Sequence, residues 1–348
     1  MPLGLQENES LNSPPVEGWR DSAGVVSSSE NWKLKTKNCI LLAGPTASGK
    51  TAIAEWIARN HPGFEILSAD SMQVYRGMDI GTAKPSLATR KEIRYHGLDL
   101  ANPNEHFSTG LWLDHATKAL QECTARGNRM IVVGGTGLYF RALLQGIDAS
   151  TADTAARARG EALLASGGMD ALRAEIHRLD PDALATLNAD DSRNPRRLLR
   201  LLEKLATPSA CTIHHSPLTI HHSPLFLLSL PSAILRERIA QRIEQIFASG
   251  LLDETRALLA AYPDWEKSSL PSAHAIGYAE AIAVLRGNMT EPKAKELIAI
   301  RTSQYARRQR TFFRHQLSCT SHLAIPAPDN VAEVERRAQE MMTVGQGS

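Results

Sequence analysis

The chain has 348 residues, of which 43% are apolar and 22% charged, and its formal net charge is +2. These proportions are those of an ordinary globular protein and exclude a collagen-like or fully disordered chain. No run approaches the roughly 18 consecutive apolar residues of a membrane-spanning helix, so no membrane partner is expected. The four cysteines, Cys39, Cys123, Cys211 and Cys319, are scattered without a close pair, which argues against a zinc site or disulfide framework and suits a reducing compartment.

The start of the chain is polar and contains few apolar side chains. Such a segment buries too little apolar surface to offset the entropy lost on ordering, so we predict a disordered tail over residues 1–35. It has neither the basic beginning nor the apolar centre of a secretory signal, and we therefore expect a cytoplasmic protein.

Short apolar runs alternate with helical stretches in the first half of the chain. Asn38–Gly44, Phe64–Ala69 and Arg129–Val133 are each short and apolar, which predicts buried strands. Because strands that alternate with helices form parallel sheets, we predict the first part of an α/β core over residues 36–148.

The second half of the chain has a different texture. Ala, Leu and Arg dominate residues 149–206 with helical periodicity, which predicts a helical insertion. The sequence IHHSPL occurs twice within Pro208–Leu225. For residues 207–224 we favour a low-complexity surface loop over a metal-binding tract, because prolines interrupt the segment and nothing acidic lies nearby. Phe226–Leu230 predicts another strand within residues 225–328, which complete the core with C-terminal helices. We predict a tail over residues 329–348, which could form a last helix with a frayed end.

The segment after the first predicted strand has the pattern G-x-x-x-x-G-K-[ST]. Its glycines allow successive backbone N–H groups to face one anion, and the start of the following helix adds partial positive charge. Lys50 adds a formal charge, and the hydroxyl of Thr51 can bind Mg²⁺. The predicted diphosphate- or nucleotide-binding residues are therefore Gly44, Pro45, Thr46, Ala47, Ser48, Gly49, Lys50 and Thr51.

A phosphate loop alone does not specify a reaction, since kinases and nucleoside triphosphatases use the same loop. The chain shows no good triphosphatase base or switch region, which disfavours these two classes without excluding them. A stretch from Arg286 to Arg314 contains eight Lys or Arg against two Glu. It predicts either a solvated helix face or a phosphate-contacting patch.

The second predicted strand is followed directly by Asp70. Parallel sheets bind ligands at the carboxyl ends of their strands, so Asp70 is expected at the same edge as the phosphate loop. A carboxylate there could bind Mg²⁺ through water or take a proton from a nucleophile. Capping of the following turn is the structural alternative.

Three longer blocks carry a resemblance to a known family. GPTASGKT at Gly44–Thr51, SADSMQVYRGMDIGTAKP at Ser68–Pro85 and VGGTGLYFRALLQG at Val133–Gly146 resemble, in this order, signature blocks of the tRNA dimethylallyltransferase family, also called tRNA isopentenyltransferases. Weaker similarities lie in His96–Ser108, Asp191–Glu203, Ala248–Glu254, Ala275–Ile282 and Arg301–Arg314. The resemblance spans about residues 38–316 and implies a P-loop NTPase-like parallel sheet flanked by helices, with a helical insertion domain.

The resemblance implies that the phosphate loop holds the diphosphate of dimethylallyl diphosphate. The dimethylallyl group would pass to the exocyclic amine of the adenosine 3′-adjacent to the anticodon, in tRNAs that read codons beginning with U. Lys50 and Mg²⁺ would stabilise the departing diphosphate, while Asp70 would orient the amine and take its proton. Thr136 would line the channel where adenine meets the prenyl donor, so the predicted catalytic residues are Asp70, Lys50 and Thr136.

The implied partner is the anticodon stem-loop of tRNA, bound by a monomer. The sequence RRLLR places three arginines close together on about one helical turn, which suits phosphate contacts, although a solvated helix face is the alternative. The positions that match tRNA contacts of the family are Asp70, Ser71, Met72, Gln73, Thr136, Arg157, Arg196, Arg197 and Arg200.

Two positions depart from the family pattern. His274 and Ala279 stand where the family usually carries arginines that help to grip the diphosphate. A protonated His274 could substitute, or Arg301 or Arg286 could reach the site. These departures leave open a tRNA-binding relative that has lost catalysis. A second alternative is an isopentenyltransferase that acts on free adenine nucleotides, which would share the phosphate loop and the aspartate but would have little use for a helical insertion with clustered arginines.

Overall fold

The structure is a computed structural model, and most of the chain is described in it. The described residues are 39–148, 154–188, 191–206, 213–214, 223–317, 322–326, 328 and 330–346. The predicted tail over residues 1–35 lies outside them, as do residues 207–212 and 215–222 of the predicted low-complexity loop.

The described part of the chain contains eight strands. They are β1 (Cys39–Ala43), β2 (Phe64–Ala69), β3 (Tyr95–His96), β4 (Arg129–Gly134), β5 (Ile147–Asp148), β6 (Ile213–His214), β7 (Leu225–Ser229) and β8 (His322–Pro326). Six of them form one sheet in the order β3-β2-β4-β1-β7-β8, with every neighbouring pair parallel. β5 and β6 form a separate antiparallel pair. The predicted fold class, a parallel sheet in an α/β protein, is confirmed.

Helices surround the main sheet. They are α1 (Lys50–Asn60), α2 (Leu87–Glu92), α3 (Thr109–Ala125), α4 (Gly137–Gln145), α5 (Thr154–Leu179), α6 (Pro195–Ala206), α7 (Ser232–Ala248), α8 (Leu251–Ala261), α9 (Tyr278–Leu285), α10 (Glu291–Gln316) and α11 (Val331–Gln346). Every residue of β1 and β2 is buried, which explains why β1 is continuously apolar and β2 largely so. Among the described helices, none is long and apolar enough to span a membrane.

The packing of α3 and α4 fixes the end of β2 just before Asp70. Trp112 of α3 and Tyr139 of α4 stack with their ring centroids 4.3 Å apart. The Trp112 indole N–H also donates to the backbone carbonyl of Ser68 at 3.1 Å. A buried aromatic pair whose indole N–H has a hydrogen-bond partner is a rigid support. The position of Asp70 is therefore set by the core behind it.

Helix α11 covers the helix that carries the phosphate-loop lysine. Its residues Ala338 and Met341 are fully buried in the same hydrophobic cluster as Ile53 and Ile57 of α1. The segment that we predicted as a tail, residues 329–348, therefore includes a helix that packs on the core.

Helices α5 and α6 pack against each other around a core of their own. Leu172, Ile176 and Leu198 are fully buried within it. The chain kinks inside α5 at Gly168, whose φ of 65° is a left-handed conformation that glycine adopts without a steric penalty. The described residues of the predicted insertion, 149–206, thus contain a compact helical pair.

Candidate active site

Three loops meet at the carboxyl edge of the sheet. β2, β4 and β1 are neighbours in the sheet, and at their carboxyl ends lie Asp70, the turn at Gly134–Thr136 and the phosphate loop. The approach of the first two is close, because a Cβ on Gly134 would overlap the carbonyl oxygen of Ala69. This placement at the carboxyl ends of parallel strands is the usual site of ligand binding in such sheets.

The phosphate loop, Gly44–Thr51, has the backbone of an anion-binding nest. Ala47 and Gly49 take left-handed conformations with φ of 60° and 84°, which turn successive N–H groups toward one side. Lys50 begins α1, and its Nζ donates to the carbonyl oxygen of Pro45 at 3.1 Å. The Ser48 hydroxyl is buried and has no hydrogen-bond partner among the residues that the structure describes.

A small cavity of about 50 Å³ lies over the phosphate loop. Of the eight predicted phosphate-loop residues, Thr46, Lys50 and Thr51 line it, while Gly44, Pro45, Ala47, Ser48 and Gly49 do not. The functional side chains that line it from other segments are Asp70, Gln73, Thr82 and Arg242. The cavity therefore brings two cations and one carboxylate together beside the loop.

Burial sets the electrostatics of this cavity. Enclosure lowers the pKa of Lys50 to about 8, with Asp70 opposing the shift and Arg242 adding to it. Burial likewise lowers the pKa of Arg242, against the effect of Asp70. Asp70 opposes the lowered pKa values of Lys50 and Arg242 but does not cancel them. A bound anion would stabilise the charged forms of both side chains, so the cavity favours a diphosphate.

We expect diphosphate affinity to weaken above about pH 8. The free chain loses the Lys50 proton there, whereas a bound diphosphate would hold it, so the dissociation constant should rise about tenfold per pH unit above the free pKa. Calorimetric titration with inorganic diphosphate in two buffers of different ionisation enthalpy should show proton uptake. A Lys50→Met control should lack this uptake, and a wild-type affinity independent of pH would contradict the prediction.

A second cavity of about 450 Å³ opens beside the first. Thr46, Asp70, Thr82 and Arg242 line both cavities, so Asp70 lies where the two join. One wall of the larger cavity is apolar and consists of Ile239, Ile243, Ile246, Ile276 and Ile298. A volume in the ~300–1,000 Å³ range with a few polar groups is typical of a small-molecule site.

The turn that carries Asp70 is held by hydrogen bonds. Asp70 Oδ1 accepts from the backbone N–H of Met72 at 2.9 Å, and Thr136 Oγ1 accepts from that of Ser71 at 3.0 Å. Thr136 lines neither cavity. Its contact with the Ser71 N–H is structural, and its place in a substrate channel stays a prediction.

Tyr305 on α10 lines the larger cavity. Burial and Asp70 together raise its pKa to about 12, so its phenol stays protonated at neutral pH.

The predicted tRNA contacts near Asp70 divide between the cavities. Ser71 and Met72 line the larger cavity, and Gln73 lines the smaller one. Gln73 Oε1 accepts from the Ser68 hydroxyl at 2.8 Å, and its Nε2 donates to the Thr82 carbonyl at 3.3 Å. Gln73 thus also ties the end of β2 to the loop around Thr82.

Gln309 on α10 joins the two halves of the site, and sequence analysis missed it. Its Oε1 accepts from the Thr46 N–H at 2.9 Å, and its Nε2 donates to the Gly135 carbonyl at 2.9 Å. A Cβ on Gly135 would overlap the amide of this buried glutamine. The helical spacing of Arg301, Tyr305 and Gln309 was the available signal, because these residues share one face of α10.

Replacing Gln309 with leucine should lower turnover at this site about tenfold and destabilise the fold by about 2 kcal/mol, because the Thr46 N–H and the Gly135 carbonyl lose their partners. Gln309→Glu keeps an acceptor for Thr46 and should be less destabilising. Steady-state kinetics and thermal unfolding check both effects. Gln339→Leu on the exposed face of α11 is the matched control, and equal losses in both leucine variants would refute a specific role.

The arginines near the larger cavity differ in their reach. Arg301 lines that cavity, is paired with Glu280 and donates to the His274 carbonyl at 3.2 Å. Arg286 lines neither cavity and pairs with Glu266 at 2.6 Å. His274 lines the larger cavity, whereas Ala279 lines neither. Of the three suggested substitutes for a family arginine, His274 and Arg301 therefore line the site, together with Arg308 and Arg242, and Arg286 does not.

The four predicted tRNA-contacting arginines of the insertion fall into two pairs. Arg157 and Arg200 both bind the buried Glu203, at 3.1 and 2.9 Å. Arg196 and Arg197 are exposed on α6, and Arg197 pairs with Asp191 at 3.4 Å. None of the four lines either cavity, so any contact with tRNA would lie outside the site itself.

The described residues contain no group of three or more His, Cys, Asp or Glu that could hold a metal ion alone. Mg²⁺ usually keeps several waters and binds through one or two protein oxygens together with substrate phosphates. Thr51 and Asp70 line the smaller cavity and carry a hydroxyl and a carboxylate, which fit that mode of binding.

The sheet, the phosphate loop and the joined cavities define a class of protein. It is a P-loop-fold protein whose site suits a phosphorylated ligand with an apolar part, beside a carboxylate.

Comparisons with known proteins identify the family. A family model described as IPP transferase matches residues 73–316, and one described as isopentenyl transferase matches residues 37–99. A tRNA dimethylallyltransferase of Anaeromyxobacter sp. is 42% identical over 279 residues, which cover 80% of this chain and 91% of the relative. That of Thiobacillus denitrificans is 41% identical over 278 residues, covering 79% and 88%. The chain belongs to the tRNA dimethylallyltransferase family, as its sequence motifs predicted.

Solved structures agree with this assignment. The full-length tRNA isopentenylpyrophosphate transferase from Bacillus halodurans superposes with a TM-score of 0.62 at 31% identity, covering 89% of this chain and 97% of that one. A eukaryotic dimethylallyltransferase acting on tRNA gives a TM-score of 0.69 at 21% identity and covers 88% of this chain and 77% of its own. At that identity the second match supports the fold alone.

Proposed function

We propose that this chain transfers the dimethylallyl group of dimethylallyl diphosphate to the exocyclic amine of the adenosine 3′-adjacent to the anticodon in tRNA. The observation that carries the proposal is the position of Asp70, which lines both the phosphate-loop cavity and the cavity with the isoleucine wall. A base is needed where the allylic carbon, its leaving group and the amine meet. Asp70 is at such a junction.

In this reaction the allylic carbon–oxygen bond breaks and diphosphate leaves with the bonding electrons. Lys50, Arg242 and the backbone N–H groups of the phosphate loop supply positive charge where negative charge develops. The Thr51 hydroxyl would hold Mg²⁺ together with the diphosphate, which would bring further positive charge to the departing group.

The new bond forms between the allylic carbon and the adenine nitrogen, whose extra proton passes to Asp70. An aromatic amine is a weak nucleophile, so a carboxylate that both orients it and takes its proton raises the rate. The isoleucine wall keeps water away from an electron-poor allylic carbon, which would otherwise be hydrolysed.

The acceptor base must leave its stack to reach the cavity, at a cost of a few kcal/mol. Contacts to the tRNA backbone would offset this cost, and Arg308 at the cavity together with the exposed Arg196 and Arg197 are suited to them. We further propose that the enzyme is cytoplasmic, since its substrate tRNA is found in that compartment. We also propose that it is a monomer and that its substrates are tRNAs that read codons beginning with U.

The test is prenyl transfer from labelled dimethylallyl diphosphate, with Mg²⁺, to an unmodified anticodon stem-loop. Product with this RNA, and none when the target adenosine is replaced by guanosine, would support the proposal. AMP, ADP and ATP as acceptors test the free-nucleotide alternative, and phosphate release from ATP tests the kinase or triphosphatase alternative. Product with the nucleotides alone would overturn the tRNA assignment.

A further inference from the structure

Glu254 on α8 binds three consecutive backbone N–H groups. Its Oε2 accepts from Asp79 at 2.9 Å and from Ile80 at 2.7 Å, and its Oε1 accepts from Gly81 at 3.2 Å. The Tyr278 hydroxyl donates to the same Oε1 at 2.6 Å. A carboxylate seated on successive N–H groups is a strong, charge-assisted contact, so it fixes the backbone of this turn.

The rest of the same loop is also held firmly. Lys84 Nζ pairs with Asp79 at 2.8 Å and with Asp99 at 2.6 Å, and its side chain is fully buried. On the other side Gly81 lies against the Tyr278 ring, where a Cβ would overlap the ring. Since the loop has little regular secondary structure, these side chains determine its conformation.

The loop delivers one carbonyl oxygen to the candidate site. Thr82 is buried and lines both cavities. Its carbonyl accepts from Arg242 Nη2 at 3.3 Å. Arg242 lines both cavities as well, beside Lys50 and Asp70 of the smaller one.

That carbonyl also keeps Arg242 away from the carboxylate. Within the described part of the chain, no ion pair within 4.0 Å joins Arg242 to Asp70, although Asp70 acts on the pKa of Arg242 against the effect of burial. An arginine without a fixed acceptor would be drawn toward the nearest carboxylate, because opposite charges attract strongly in a buried site. The Thr82 carbonyl therefore leaves both groups available to substrate.

We propose that Glu254 is a positioning residue for diphosphate binding, because it holds the Asp79–Gly81 turn that presents the Thr82 carbonyl to Arg242. Glu254 lines neither cavity, so it acts through Arg242 and not on substrate. The proposal rests on the proposed function in one respect, namely that a diphosphate occupies the phosphate loop.

A double-mutant cycle tests the proposal. Glu254→Gln and Arg242→Ala are made singly and together, with Glu266→Gln, which removes a surface ion pair with Arg286, as the matched control. We expect Glu254→Gln to raise the KM for dimethylallyl diphosphate about tenfold, while the KM for tRNA changes less than about twofold. In the Arg242→Ala background the same change should add less than about twofold. Glu266→Gln should leave both values unchanged.

Independent effects would overturn the proposal. If Glu254→Gln raises the KM by the same factor with and without Arg242, or raises both KM values equally, Glu254 only supports the fold. The cycle is repeated with the affinity for inorganic diphosphate, so it remains decisive even if the wild type transfers no prenyl group. Should Glu254→Gln fail to fold, Tyr278→Phe removes one contact to the same carboxylate and should give a smaller shift, of about threefold, with the same dependence on Arg242.

Discussion

Replacing Asp70 with asparagine should lower the rate of prenyl transfer about a thousandfold, while the affinity for dimethylallyl diphosphate changes little. Asparagine keeps an oxygen that can accept the Met72 N–H, so the turn should be preserved. It cannot take a proton from the adenine amine. Because the phosphate loop, Lys50 and Arg242 keep their side chains, the loss should appear mainly in kcat and much less in the KM for the prenyl donor.

Single-turnover kinetics at saturating tRNA measures this effect on the chemical step. Asp264→Asn, at an exposed position outside both cavities, is the matched control and should keep wild-type rates. If Asp70→Asn loses less than about tenfold, another group takes the proton and the assignment of Asp70 as the base is wrong.

Replacing Lys50 with methionine should lower kcat/KM for dimethylallyl diphosphate about a hundredfold. The lysine supplies charge to the leaving group, and methionine keeps much of its length without that charge. Lys91→Met, on the exposed surface of α2, is the control and should be without effect.

In the absence of ligand, the Lys50→Met substitution should not lower the stability of the folded chain, although it lowers activity. Enclosure lowers the pKa of Lys50 to about 8 from 10.5, so the folded chain binds this proton less tightly than the unfolded chain. The charged lysine therefore costs stability at neutral pH, and this cost disappears as the pH rises from about 8 toward 10.5. Lys50→Met should leave the unfolding temperature equal or higher at neutral pH, and a marked drop would contradict the electrostatic account.

Local sequence was sufficient to predict the edge of the sheet where the site lies. The phosphate loop and the residues after β2 follow their strands directly, and topology brings carboxyl ends of parallel strands to one edge. The apolar runs of β1, β2 and β4 predicted these strands because each is buried on both faces.

The contacts that complete the site could not be predicted in this way. Gln309 lies 263 residues from Thr46, and Glu254 lies 175 residues from Asp79. Such pairs are set by how helices pack over the sheet, which local patterns do not contain. Arg157 shows the same limit, since its ion pair with the buried Glu203 joins residues that lie 46 positions apart.

The absence of the usual family arginines at His274 and Ala279 makes activity the central claim to test. Arg242, Arg301 and Arg308 line the larger cavity and supply positive charge there. We infer that these arginines are sufficient for grip on the diphosphate, so the chain is active as it stands.

The most direct measurement is the mass of unmodified tRNA after incubation with dimethylallyl diphosphate, Mg²⁺ and either the wild type or His274→Arg. We predict the mass increase of one dimethylallyl group with the wild type and at most a small gain in rate with the variant. No mass increase with the wild type, while tRNA binding is intact, would contradict it. Rescue by His274→Arg would then locate the loss in the grip on diphosphate, and failure of both would indicate a tRNA-binding relative without catalysis.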